Sequence, residues 1–253
     1  MLNMLFPLTS KRSLSLCCVV LSGAVSLFGS SAAHATTITY NASGSGTDGA
    51  LGASAVFTTS AGMLTVTLSD TLAASVIRSA GQAVSDLSFT LSNSAGTLTN
   101  ATASGQLGNV SSTGVVTYTT GSPTRFLGAG GQGNFSVSGS TVTLEAIGGG
   151  KPTEMITPTV ANGGTLSNVN NGFQQFNPYT IGPATFMLSL SGVTANTTIN
   201  AATFSFGTGP DTFLTGTPSG PSPSPVPEPS SLLLLGTGIV GAGGALRRSL
   251  KRA

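Results

Sequence analysis

Four carboxylates in the body of the chain, Asp70, Asp86, Glu145 and Glu154, are the residues whose chemistry would matter most if they met. Two of them facing each other in a cleft would form a glycosidase pair, whose carboxyl groups stand roughly 5–10 Å apart. The plainer reading, adopted here, is surface carboxylates that keep a domain soluble. No D-x-D-x-D-G calcium loop exists, and Asp48 or Asp211 with nearby hydroxyls and carbonyls offers only a loose oxygen site. Gly128-Ala129-Gly130-Gly131-Gln132-Gly133 matches the dinucleotide pattern G-x-G-x-x-G, yet strand patterns follow it and no βαβ unit surrounds it. With 35 glycines in the chain, a chance match is expected. Gly148-Gly149-Gly150-Lys151-Pro152 resembles a phosphate loop, but Glu145 stands where its first glycine belongs and Pro152 where Ser or Thr belongs. Asn41, Asn100, Asn109, Asn134 and Asn196 begin N-x-[ST] sequons, which follow from the abundance of Asn, Ser and Thr.

What is missing is as informative. The single histidine, His34, and both cysteines, Cys17 and Cys18, lie in the first 35 residues. Those residues have the layout of a secretory signal peptide: Lys11 and Arg12, an apolar run from Leu14 to Phe28, and the small-residue site Ala33-His34-Ala35. Cleavage is expected before Thr36. A lipoprotein alternative would use Cys17 or Cys18, but Leu16 stands where a small residue should precede a lipidated cysteine. Once the leader is removed, the mature chain has no disulfide, no Cys or His metal ligand and no histidine base. We therefore expect no enzyme and no cofactor.

Charge points the same way. Charged residues make up 6% of the chain, against about 25% in ordinary soluble domains. Six of the nine basic residues sit at the ends: Lys11, Arg12, Arg247, Arg248, Lys251 and Arg252. Between Thr36 and Pro225, Arg78, Arg125 and Lys151 face six acidic residues, so the middle carries −3. A nucleic-acid partner, which needs a clustered basic face, is excluded.

Near the other end, Gly216 to Pro229 has prolines at 218, 221, 223, 225, 227 and 229. Alternating proline holds a chain extended at about 3.1 Å per residue, a stiff stalk. Ser230 to Leu246 then runs without charge and is followed by Arg247, Arg248, Lys251 and Arg252, the pattern of a membrane helix with a cytoplasmic basic flank. Its seventeen residues span ~25 Å, short of a core about 30 Å thick. Gly238/Ala242 and Gly241/Ala245 give it the spacing of close helix contact. A temporary anchor is expected, with a permanent single span as the alternative.

Val226-Pro227-Glu228-Pro229, the Leu/Gly-rich run and the basic end together resemble the PEP-CTERM sorting signal of exosortase-dependent bacterial proteins. The resemblance covers residues 225–253. It implies recognition by exosortase, an integral-membrane protease or transpeptidase-like enzyme, cleavage near Pro227-Glu228-Pro229, and release to the cell surface or matrix. Members of the family occur in Gram-negative bacteria that make exopolysaccharide, which links such proteins to biofilm. The physical reading of the motif is that Pro227 and Pro229 pre-order the backbone for a protease cleft while Glu228 presents one carboxylate at the membrane boundary.

Between these ends, residues 36–215 are long enough for one domain. Alternation predicts strands at 54–59, 63–69, 87–92, 115–119, 134–138, 141–146, 184–191 and 198–206. Leu87, Phe89 and Leu91 alternate with Ser88, Thr90 and Ser92, one face for a core and one for water. Leu72 to Val84 comes nearest to helical periodicity, and Gly81 interrupts it. The fold expected is all-β, a single β-sandwich of jelly-roll or immunoglobulin-like type, with the ten phenylalanines from Phe57 to Phe213 as core aromatics. Residues 161–178 form the longest polar loop, read as a plain connection. Sec translocon, signal peptidase and exosortase are the expected partners. The outer domain is expected to be a non-catalytic surface or matrix protein, with an exopolysaccharide-binding module as the alternative and a glycosidase third. The absence of Trp, and only Tyr40, Tyr118 and Tyr179, speak against a sugar platform.

Overall fold

The structure, a computed structural model, describes residues 35–129, 133–148, 150–167, 169–209 and 212–220. The leader up to His34, the sorting residues Pro227, Glu228 and Pro229, the apolar segment 230–246 and the basic residues Arg247, Arg248, Lys251 and Arg252 lie outside them, as does Asp211. Among the described residues no α-helix occurs, and none is long and apolar enough to cross a membrane.

Fifteen strands are found there: β1 (Thr36–Gly46), β2 (Gly49–Ser60), β3 (Met63–Asp70), β4 (Val84–Leu91), β5 (Leu98–Ser104), β6 (Leu107–Val110), β7 (Val116–Thr119), β8 (Ser136–Ser138), β9 (Thr141–Glu145), β10 (Ile156–Thr157), β11 (Tyr179–Ile181), β12 (Ala184–Leu190), β13 (Ile199–Phe206), β14 (Thr212–Thr215) and β15 (Thr217–Ser219). One sheet runs β15-β1-β2-β3-β12-β5 and is antiparallel throughout. The other runs β14-β13-β4-β10-β11-β6-β7, with β9 also paired to β4 and β8 to β9; only β10 and β11 are parallel. Thr, Val and Phe suit such half-buried pleated positions. In β3 every second residue, Leu64, Val66, Leu68 and Asp70, turns inward while the residues between are half exposed.

The inward faces share one core. Phe57, Phe89, Phe126, Phe173, Phe186, Phe204 and Phe206 are fully buried, each worth about 1.5–3 kcal/mol of burial. Phe126 meets Phe186 of β12 at 5.3 Å between centroids. A polar tie also joins the sheets, the Tyr40 hydroxyl donating to the Ile199 carbonyl at 2.8 Å, and the Thr59 hydroxyl holds the connection before β13 by donating to the Thr197 carbonyl at 2.9 Å. Phe135 and Phe176 are only partly buried, and Phe213 is 54% exposed, so three of the ten phenylalanines are not in the centre of the core.

All eight predicted strands are present, and the remaining seven carry weaker alternation. β5 is built from small polar residues, and β10 and β11 have two and three residues that are all buried. The stretch Leu72 to Val84 forms only a 3-10 turn, Ala80–Gln82, with Ser79 as its cap. Thr217–Ser219, at the head of the proline-rich segment, pairs with β1 through Thr39 to Asn41. Pro218 is tolerated there because the strand is an edge. The polar loop 161–178 is pinned to the domain. The Asn177 side chain bonds both backbone groups of Val110, at 2.8 and 2.9 Å, and Phe173 stacks on Tyr179 at 4.4 Å.

Candidate functional site

At the N-terminal end, Ala35 is exposed and Thr36 opens β1, where its hydroxyl donates to the Ala195 carbonyl at 3.0 Å. Ala33 lies outside the described residues. The five sequon asparagines are all exposed.

One glycine from each run, Gly133 and Gly148, packs beside Arg125. The Gly133 N–H donates to the Gly148 carbonyl at 2.7 Å. A Cβ on Gly133, at φ +72°, would stand 2.0 Å from the Arg125 carbonyl oxygen, and one on Gly148 would stand 2.5 Å from Asn134 Cβ. Only glycine permits that approach. Within this cradle the guanidinium of Arg125, 4% exposed, donates to the carbonyls of Ala146 and Gly148. Glu154 accepts from the Arg125 backbone N–H at 2.8 Å. Burial pushes the Glu154 carboxyl up, and the Arg125 N–H and charge draw it back. Burial likewise lowers the Arg125 guanidinium, opposed by Glu154. These groups hold loops together.

Asp70 ends β3 as an inward residue. Its Oδ1 accepts from the Leu72 N–H at 2.8 Å, while its Oδ2 is buried without a hydrogen-bond partner. Burial pushes its carboxyl up to about 8, only partly offset by the Leu72 N–H.

Asp86 and Glu145 are the carboxylates that come together. They are direct partners in the β4–β9 register, which places side chains of opposed residues about 4.5–5.5 Å apart at Cβ on one face. That face is the outward side of the second sheet, because Leu87 and Phe89 take the inward positions of β4. Register extends the row from Asp86 through β13 to β14, so Phe213, Ser205, Asp86 and Glu145 lie side by side across β14, β13, β4 and β9. The next outward row holds Thr203, Ser88 and Thr143. Together these residues line a cleft of about 230 Å³.

Within the cleft the two carboxylates differ. Asp86 is 7% exposed; its Oδ1 accepts from the Ala146 N–H at 3.1 Å and its Oδ2 from the Ser85 hydroxyl at 3.3 Å. Burial, and next the negative charge of Glu145, push its carboxyl up to about 6, against the N–H groups of Ile147 and Ala146. Glu145 is half-buried and is the more accessible residue of the two. Among the described residues no Lys or Arg lines the cleft. Carboxylate acceptors, hydroxyls of both senses and one exposed ring make a surface suited to a polyhydroxylated ligand.

The tyrosines supply no platform. Tyr40 and Tyr179 are buried, with hydroxyls on the Ile199 and Phe173 carbonyls, and Tyr118 bonds the Val160 carbonyl. The exposed aromatic is Phe213, which alternation in β14 could have flagged: Leu214 takes the half-buried position and Phe213 the exposed one.

A family profile described as the PEP-CTERM protein-sorting motif matches residues 225–249. No curated protein and no solved structure matches the chain. The motif supports an exported, exosortase-sorted protein that passes through a membrane on its way to the cell surface.

Proposed function

We propose that this chain is a non-catalytic surface or extracellular-matrix protein. Sec exports it and signal peptidase trims it between Ala35 and Thr36. Residues 230–246 hold it in the inner membrane with Arg247, Arg248, Lys251 and Arg252 inside, and exosortase processes it near Pro227-Glu228-Pro229. The observation that carries this is the sorting motif at residues 225–249. The ectodomain is a single β-sandwich, a reading supported by the core that both sheets share. Support for a non-catalytic role comes from how the reactive groups are used: Arg125 and Glu154 brace loops, and both Asp86 oxygens accept local bonds. Fractionation of cells carrying Glu228→Ala tests it. The variant should stay in the inner membrane at precursor length, and ordinary release at mature length would overturn the assignment.

A second reading, an exopolysaccharide-binding module, is favoured by the cleft with its two carboxylates, four hydroxyls and exposed Phe213. Retention of the protein on the host's own polysaccharide, lost on Glu145→Gln, would support that reading.

A further inference from the structure

We propose that the cleft on β14, β13, β4 and β9 takes a saccharide bearing free ammonium groups, a de-N-acetylated hexosamine polymer, in preference to a neutral or uronic-acid glycan. This deepens the saccharide-binding reading and rests on it. Three observations carry the choice. Phe213, 54% exposed at one end of the row, offers a ring face on which the C–H side of a pyranose can lie. Ser88, Thr143 and Thr203 in the neighbouring row are half-buried and offer hydroxyls that donate or accept as a sugar requires, while Ser205 beside Phe213 is 4% exposed and forms the floor. Asp86 and Glu145 close the far end with two carboxylates in register and, among the described residues, no basic side chain in the lining.

That last arrangement decides the charge of the ligand. Two anions opposed across neighbouring strands repel each other. A neutral sugar leaves that repulsion in place, a uronate adds a third negative charge, and an ammonium relieves it while making charge-assisted hydrogen bonds. The −3 between Thr36 and Pro225 includes the pair itself, and the remaining charges nearly cancel, so the attraction for a cation is centred on these two carboxylates. Three inter-strand steps separate Phe213 from Glu145, about 14 Å. The row therefore accommodates a short stretch of polymer, with one ring seated in the cleft of about 230 Å³.

The test is calorimetric titration of the full chain, purified in detergent, with chitosan oligosaccharides, their fully N-acetylated counterparts, oligogalacturonate, and oligolysine of matched charge. Chitosan oligosaccharides should bind at least tenfold more tightly than the N-acetylated forms. Glu145→Gln should cut that affinity about tenfold and Phe213→Ala several-fold, both leaving the unfolding midpoint near wild type. Equal binding of the acetylated forms, or tighter binding of oligogalacturonate, overturns the ammonium preference while leaving saccharide binding intact. No binding of any glycan, on the host's own polysaccharide as well, overturns the saccharide reading itself. Oligolysine that binds as tightly and ignores Phe213→Ala would reduce the effect to bulk charge and overturn the proposal, as would binding that appears only with added calcium.

Discussion

The ring of Phe57 on β2 lies 4.9 Å from the ring of Phe89 on β4, centroid to centroid, with the planes inclined at 60°. One belongs to each sheet, and Tyr40 meets Phe57 edge-on at 6.0 Å to extend the contact. No cysteine follows Cys18, so contacts of this kind, and not disulfides, hold the sheets together.

Removing Phe89 should therefore cost far more than removing Phe213. Phe89→Ala empties a fully buried site and should lower stability by about 3–5 kcal/mol, whereas Phe213→Ala, at a half-exposed site, should stay within about 0.5 kcal/mol. Urea unfolding midpoints of the two variants measure the difference, and comparable losses would mean that the sheets are not closed by this pair.

Asp70 makes stability fall as the medium becomes alkaline. Its carboxyl is at about 8 in the folded chain and near 3.8 when unfolded, so the folded state holds a proton that the unfolded state has released. Stability is then greatest below about pH 4 and declines towards pH 8, by at most ~1.4 kcal/mol per pH unit. Asp86, raised to about 6, contributes only to the lower part of that range. Asp70→Asn should flatten the decline between pH 6.5 and 8, read from thermal midpoints. An unchanged slope there would contradict the burial of Oδ2.

Gly133→Ala should unfold the Arg125 cradle, because the new methyl group meets two carbonyl oxygens, those of Arg125 at 2.0 Å and Glu145 at 2.5 Å. Gly139, also left-handed at φ +60°, has nothing within 4 Å of its Cβ, so Gly139→Ala should cost only the backbone strain, about 1 kcal/mol. Thermal denaturation of both variants distinguishes steric clash from strain alone.

Asn41 fastens β15 to β1. Its side-chain amide donates to the Ser219 hydroxyl at 3.1 Å and its carbonyl accepts from the Thr217 hydroxyl at 3.3 Å. Asn41→Ala should leave global stability within about 0.5 kcal/mol yet speed amide exchange at Thr217 and Ser219 several-fold, since an exposed edge strand opens locally. Mass-resolved hydrogen exchange would detect it.

Much of this protein is set by local patterns. The sorting tail is legible because charge, apolar length and proline spacing are properties of contiguous residues, and the eight clearest strands are legible because one buried face imposes a period of two. Of the strands without that signature, β10 and β11 are buried on both faces and too short to alternate, while β5 lacks large apolar residues after Leu98. Which carboxylates meet was a different kind of question. Asp86 and Glu145 are 59 residues apart, and only the pairing of β9 with β4, against β13 on the other side, places them in one row with Ser205 and Phe213. Tertiary structure likewise decided that Arg125 sits beside Gly133 and Gly148, because register and sheet order are settled by packing between distant segments and leave no trace in the neighbours of any one residue.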